Sequence, residues 1–471
     1  MKKGNGSISS VWLLLLLSLA AFMVVLDTSV VSTSLSTIQK EFGASLAALE
    51  WIVNSYILTF AVLLMTASAM GDRFGRRRMF AAGIGIFTAA SVACALAHRL
   101  EWLIAFRAIQ GVGAALIMPL AVAILSASFP PETRAKIMGI FSGIIGLAVI
   151  AGPVVGGAVT EGLSWPWIFW LNAPIGGLLL GALWNRIDES YGPNRELDLP
   201  GILFAACGVL SLVWGLIRTD SAAWLSLEIL LPIAGGIFFL LLFVFWGSRS
   251  RHPMLPMRMF RNRAFSMGNT ANFLLYSSLI SALFFISQYL QIAHGYSPFE
   301  AGLRMLPWTA SIFLVAPAAG SVVKRIGEKP LIVVGHFMHA AGMLWIGLIA
   351  APDTSYTHFV APMLISGCGL SMAQPSTMSA VMGSVAPYEI GKASGVFNTL
   401  RQLGSVFGIA ILATVFHACG GYDSAQSFTD GFSPAIIASS ILSFAGGMAA
   451  LRLPSRNRQL EAKQDVLVRE G

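Results

Sequence analysis

Uninterrupted apolar runs long enough to cross a bilayer recur from one end of this chain to the other. A spanning helix needs about 20 apolar residues to cross a hydrocarbon core about 30 Å thick. Fourteen such runs are legible, near 12–34, 51–70, 79–97, 102–126, 136–160, 166–185, 199–217, 227–246, 266–292, 303–323, 330–350, 358–382, 393–418 and 434–451. They are apolar on every face, whereas strands of a membrane barrel alternate in period two. Only 11% of the 471 residues are charged and 56% are hydrophobic, against about 25% charged in an ordinary soluble domain. A soluble enzyme, a disordered chain and a disulfide-stapled secreted module are excluded on that ground. The cysteines (Cys94, Cys207, Cys368, Cys419) form no CxxC pair, so no zinc or redox motif is indicated. The expectation is an all-α polytopic membrane protein. Its first run is longer than the apolar core of a signal peptide and is read as the first span.

Basic residues orient the chain. With the N-terminus in the cytoplasm, 24 of the 30 Lys and Arg fall in inside segments and 4 outside; Arg107 and Arg401 lie within spans. Both termini are therefore expected inside, and the net charge of +8 reads as a topology signal rather than a nucleic-acid surface. ATP hydrolysis would need a GxxxxGK[ST] loop. Gly391-Lys392 lacks it, with Ala386 and Ala393 at the flanking positions, so no nucleotide and no cofactor is expected.

An internal repeat organises the spans. Gly111, Gly113, Pro119, Ser128, Pro131, Lys136, Gly139 and Phe141 recur as Gly367, Gly369, Pro375, Ser384, Pro387, Lys392, Gly395 and Phe397, each 256 residues later. Ser68–Arg77 aligns with Gly320–Lys329 at an offset of 252. Spans two to five thus resemble spans ten to thirteen, a displacement of eight where a duplicated six-span bundle gives six. The expected division is a six-helix bundle over 12–185, two additional helices over 199–246, a second six-helix bundle over 266–451 and a cytoplasmic tail over 452–471.

Several motifs stand in this frame. The loop after span two reads Asp72-Arg73-Phe74-Gly75-Arg76-Arg77-Arg78, in which Gly75 permits a tight turn and Asp72 can pair with a basic group or a helix N-terminus. Span four carries Leu103–Gly113 with Arg107 inside the membrane, and span five carries Gly146, Gly152, Pro153, Gly156 and Gly157, small residues that allow close helix contact. Span one reads Leu26-Asp27-Thr28-Ser29-Val30-Val31. Further stretches are Trp51-x-Val53-x2-Tyr56, Trp167–Gly176, Asp198-x2-Gly201 and Ala393-Ser394-Gly395-x2-Asn398-x2-Arg401-Gln402. From about residue 26 to 410 these resemble the major facilitator superfamily and, within it, the fourteen-span drug/proton antiporter branch. Ser68, Ser32, Ser36 and Pro166 depart from that branch's usual Gly, Asn, Pro and Arg.

The resemblance implies a major facilitator fold in the cytoplasmic (inner) membrane, exporting small amphiphilic compounds or drugs in exchange for protons. It makes Asp72, Arg73, Gly75, Arg76 and Arg77 a gate loop that latches the halves on the cytoplasmic side. It also makes Gly146, Gly152, Pro153, Gly156 and Gly157 the family's antiporter motif. A charge inside the membrane costs about 2.5–3.5 kcal/mol and is normally directed inward. Counting from the span ends, Asp27 and Arg107 both lie about 8 Å below the outer edge of the core. In the family fold their spans line the central cavity. Burial and an adjacent arginine act on a carboxylate in opposite directions, so Asp27 is the expected proton carrier and Arg107 its tuner; a static ion pair is the alternative. Arg401, whose repeat counterpart is Ile145, contacts substrate or stabilises the bundle, with Asn398 beside it. His336 and His339, three residues apart, read as packing residues with satisfied hydrogen bonds before they read as a proton relay. A facilitator for a single metabolite is the second functional expectation. A proton-channel subunit of a respiratory complex is the third, and the lack of Lys and Glu at span centres argues against it.

Overall fold

The computed structural model describes residues 6–129, 131–191, 198–217, 226–250, 253, 255, 257–385 and 390–454, and among these every regular element is helical. In chain order the helices are α1 Gly6–Phe42, α2 Leu46–Phe74, α3 Arg76–Ala95, α4 Leu100–Ser128, α5 Pro131–Gly162, α6 Trp167–Trp170, α7 Asn172–Arg186, α8 Leu199–Ile217 and α9 Leu227–Arg249. After a 3-10 turn at Met257–Arg261 follow α10 Arg263–Ile292, α11 Pro298–Arg304, α12 Leu306–Ile326, α13 Glu328–Ile349, α14 Thr357–Gly383, α15 Ile390–Cys419 and α16 Ala425–Leu451.

Each of the fourteen apolar runs falls on one of these helices, with 166–185 divided between α6 and α7 and 303–323 crossing the joint of α11 and α12. By length and composition, nine helices among the described residues suffice to cross a membrane, or ten if α2, bent by 51° within its length, is one span. Of the others, α7 is only 15 residues long and α14 is diluted by Gly, Ser, Pro and Gln. Lys2, Lys3, Arg195, Arg218, Arg251 and the tail beyond Pro454 lie outside the described residues.

The repeat is visible in the backbone. Gly75 joins α2 to α3 with φ +104°, and Gly327, 252 residues later, joins α12 to α13 with φ +85°. Each donates its N–H back four residues, to Gly71 O (3.0 Å) and Val323 O (2.8 Å), closing a one-residue joint that a β-carbon would strain. Helix contacts repeat as well. A β-carbon on Gly111 would lie 2.5 Å from the Tyr56 carbonyl oxygen, and one on Gly367 2.1 Å from that of Trp308. Likewise Gly83 abuts the Gly113 carbonyl and Gly335 the Gly369 carbonyl. α4 therefore meets α2 and α3, and α14 meets α12 and α13, at backbone contact, where only glycine fits.

The chain forms two compact units, Met1–Met254 with Leu290–Arg304, and Leu255–Tyr289 with Met305–Gly471. Within the first, α8 and α9 pack on each other through Gly208 and Gly236, and α8 touches α2 through Trp214 and Trp51 (5.5 Å). The remaining faces of α9 expose Leu231, Phe238, Leu241 and Phe245, an all-round apolar surface that suits lipid rather than water.

Candidate functional site

Asp27 and Arg107, which the sequence places at one depth, form a buried ion pair. Asp27 is 3% exposed and Arg107 1%. Arg107 Nη1 donates to Asp27 Oδ2 at 2.5 Å and to Gln110 Oε1 at 2.7 Å, and its Nε donates to the Ile52 carbonyl at 3.2 Å. Asp27 Oδ1 accepts from Gln110 Nε2 (2.9 Å) and Asn172 Nδ2 (3.1 Å). Both amides also donate to Ser91 Oγ, at 3.1 and 2.8 Å, which itself donates to the Phe169 carbonyl. The guanidinium lies over the Tyr56 ring at 4.2 Å and over that of Phe169 at 5.8 Å from its centre. Six helices thus contribute: α1 the carboxylate, α4 the cation and an amide, α7 the second amide, α3 the hydroxyl, α2 the Tyr56 ring and α6 the carbonyl and ring of Phe169. Ion pairs taken out of water lose several kcal/mol of hydration per ion. Here two amide donors on Asp27 Oδ1, beside the Arg107 bond to Oδ2, and an aromatic face on the cation offset that loss.

Gln110, Asn172, Ser91 and Tyr56 were not singled out by charge. Three of the four lie inside motifs quoted above for their family pattern, and that membership was the available signal; Ser91 had none.

The α5 glycines divide. A β-carbon on Gly152 would meet Ser29 Cβ at 2.2 Å, and one on Gly156 would meet Val30 O at 2.8 Å, so α5 lies against α1 close to Asp27. Gly157 faces Pro298 and Phe299 of α11, and Gly302 of α11 approaches the Pro153 carbonyl. Gly146 has open space around it and joins none of these contacts. The segment that meets α5 is also tied to α1: Gln291 Nε2 donates to Thr33 O at 3.1 Å, and Ser36 Oγ donates to Gln291 Oε1. In the same segment His294 stacks on Tyr296, with Arg304 over that ring at 3.6 Å. Burial, and secondarily the Arg304 charge, hold the His294 imidazole below its ordinary range.

At the joint between α2 and α3, Asp72 near the end of α2 pairs with Arg76 at the start of α3 at 2.9 Å. Arg77 N donates to Glu189 Oε1 (2.8 Å), Arg77 Nη1 to the Ile187 carbonyl (3.1 Å), and Arg76 N to the Ser190 carbonyl (2.9 Å). Glu189, absent from the sequence reading, underlies Gly75, where a β-carbon would meet its carboxylate at 2.6 Å. Arg73 is exposed and touches the Phe74 ring.

The second unit holds a network of histidine and serine side chains. His339 Nδ1 shares a hydrogen bond with Ser366 Oγ (2.6 Å) and Nε2 with Ser278 Oγ (3.1 Å), which pairs with Ser439 Oγ (2.7 Å). His336 Nδ1 meets the Ser443 carbonyl at 3.1 Å, and its buried Nε2 has no partner. Arg401 stands apart, its guanidinium 5.2 Å from the centre of the Tyr276 ring. Asn398 turns its amide back to the Ser394 carbonyl and does not reach Arg401.

A family profile described as Major Facilitator Superfamily matches residues 17–409. The chain belongs to this superfamily. Among its relatives, the cephamycin export protein CmcT of Amycolatopsis lactamdurans is 34% identical over 414 residues, covering 85% of this chain and 84% of the relative. The methylenomycin A resistance protein of Streptomyces coelicolor is 32% identical over 445 residues, covering 93% and 91%. The multidrug transporter protein MdtP of Bacillus subtilis is 31% identical over 408 residues, covering 86% and 75%. A solved POT family transporter superposes with a TM-score of 0.72 at 16% identity over 93% of this chain and 95% of its own. A D-xylose–proton symporter gives 0.68 at 16% identity over 96% and 99%. At those identities the likeness establishes the fold. This major facilitator is a multi-pass membrane transporter and not an enzyme, and its sequence relatives are named for drug resistance and export.

Proposed function

We propose that this transporter exports small amphiphilic compounds from the cytoplasm in exchange for protons, as a fourteen-span member of the drug/proton antiporter branch. Both termini then face the cytoplasm, a reading that the distribution of basic residues supports. α8 and α9 are the two inserted helices between six-helix bundles, a reading their mutual packing supports. The export names of the relatives and the antiporter-like α5 pattern favour efflux over uptake.

The observation that carries proton coupling is the buried Asp27–Arg107 pair. Adding a proton to Asp27 turns a carboxylate that accepts from Arg107, Gln110 and Asn172 into a neutral acid and strands the Arg107 charge. Removing one partner of a buried pair costs about 3–5 kcal/mol. Moving one charge through 100 mV supplies about 2.3 kcal/mol, a comparable amount. Protonation therefore favours a second arrangement in which Arg107 finds other acceptors or water, and substrate release on one face can be tied to proton uptake. Gln110 and Asn172 hold the carboxylate in the arrangement seen here.

The test is purified protein in liposomes containing a pH-sensitive dye, challenged with a panel of amphiphilic drugs under an imposed pH gradient. Proton flux that starts only when a transported compound is added, and that Asp27→Asn abolishes, is the expected result. Full proton-driven transport by Asp27→Asn would make the pair a static packing element, and proton leak without any compound would indicate a channel.

A further inference from the structure

Each repeat carries one arginine within a span, at a place where the other repeat carries an apolar residue. At the offset of 256, Arg107 corresponds to Met363 and Arg401 to Ile145. The two arginines differ in how their charge is met. Arg107 pairs with the Asp27 carboxylate and also donates to Gln110 and the Ile52 carbonyl. Arg401 donates no side-chain hydrogen bond and makes no ion pair among the described residues, and its Nε is buried without a partner.

The acidic side chains described in the second unit, Glu328, Asp353, Asp423 and Asp430, stand at or near helix ends. Arg401 does not. It lies about 17 Å along α15 from the cytoplasmic end, and Tyr276 lies about 20 Å along α10 from the same side. Gln374 is about 14 Å from the inner end of α14, and its Nε2 donates to Tyr276 Oη at 2.5 Å. That bond occupies the phenol's acceptor side and leaves its O–H free to donate. Around mid-membrane depth, three helices therefore assemble a guanidinium with no acceptor for its five N–H groups, a phenol O–H and an aromatic face. Among the described residues, donors are in excess here and no carboxylate meets the guanidinium. A cation–π contact alone would pin α15 to α10 but would leave those donors unmet.

We infer that Arg401, with Tyr276 and Gln374, receives the anionic end of the transported compound, a carboxylate or similar planar oxyanion carried on an aromatic or apolar body. The planar fork of an arginine fits a carboxylate through two parallel hydrogen bonds, and the phenol adds a third donor. This rests on the export reading in one respect, that transported compounds reach this part of the second unit.

Equilibrium binding to purified protein in lipid nanodiscs, without any gradient, tests the assignment with two aromatic probes of opposite charge, fluorescein and ethidium. Fluorescein is expected to bind the natural protein about tenfold tighter than ethidium. Arg401→Gln should weaken fluorescein by at least about tenfold, the worth of a charge-assisted hydrogen bond, and leave ethidium unchanged. Arg401→Lys and Tyr276→Phe, which keep a cation or the ring, should each weaken fluorescein by about threefold. Equal losses for both probes, or no loss of fluorescein, overturn the assignment. Should Arg401→Gln melt at lower temperature than the natural protein, the two conservative variants decide by the same criterion. Because no gradient is used, charge-selective binding that survives alongside failed proton exchange in liposomes refutes only the coupling, and the converse refutes only the receptor.

Discussion

The first unit and the second bury polar groups at corresponding places, yet one set is an ion pair and the other a histidine–hydroxyl network. Gln110 corresponds to Ser366 and Arg107 to Met363 at one offset, and Tyr56 corresponds to Trp308 at the other. In the first unit these positions surround an ion pair; in the second, Ser366 bonds His339, against which the Trp308 ring lies nearly parallel. The glycine contacts that bring the helices together are the same in both. Backbone geometry and side-chain chemistry have therefore been set independently: the close helix approaches fix the architecture twice, and a buried ion pair is installed at one of the two places only.

Removing the ion pair gives the largest expected effect. Asp27→Asn strands a buried guanidinium and should lower stability by about 3–5 kcal/mol, read as the thermal midpoint in detergent. Asp27→Leu with Arg107→Met, which copies the apolar residue of the second unit, should recover most of that loss without recovering proton-driven transport. If the double variant stays as unstable as Asp27→Asn, the first unit depends on its charges for folding as well as for function.

Next in size are the shared glycines. Gly113→Val and Gly369→Val each push a side chain into a facing helix backbone, and overpacking of this kind costs about 1–3 kcal/mol. Similar losses of folded protein on size exclusion are expected from the two. A loss confined to one would show that the repeats are not mechanically equivalent.

Smaller is Ser366→Ala, which removes a 2.6 Å hydrogen bond from His339 at a cost of about 1–2 kcal/mol. Transport should keep its proton dependence. An uncoupled Ser366→Ala protein would place the histidine network in the proton path and end the contrast between the units. The smallest effect is expected from Glu189→Gln, which keeps an acceptor for Arg77 N but loses the charge under Gly75. Hydrogen exchange across residues 72–78 should speed up by about threefold, consistent with a partly exposed ion pair worth under about 1 kcal/mol.

What was legible in the sequence follows from which features leave a pattern. A bilayer demands long apolar runs, so the helices could be read directly, and the repeat surfaced because glycines at backbone contact tolerate no replacement. Asp27 and Arg107 stood out because a charge in such a run is costly, and a rise of about 1.5 Å per residue was enough to set them at one depth. Gln110, Asn172 and Ser91 are uncharged, less costly to bury than an ion and without periodic signature, so their convergence on the carboxylate needed coordinates. Glu189 sits in a polar connection where one carboxylate looks like any other. The division of the α5 motif, with Gly146 apart from Gly152, Gly156 and Gly157, depends on which helix lies opposite each residue, which spacing alone does not encode.

The placement of Leu290–Arg304 with the first unit has a practical consequence for anyone recombining this transporter with its relatives. The chain passes between its compact units three times, at 254/255, 289/290 and 304/305. A chimera cut once at residue 254 would seat α11 from one parent against α5 from the other, mismatching Gly302 with Pro153 and Gln291 with Thr33. Exchanging residues 290–304 together with 1–254 keeps those partners from a single ancestor, so the natural cassette of this fold is discontinuous in sequence.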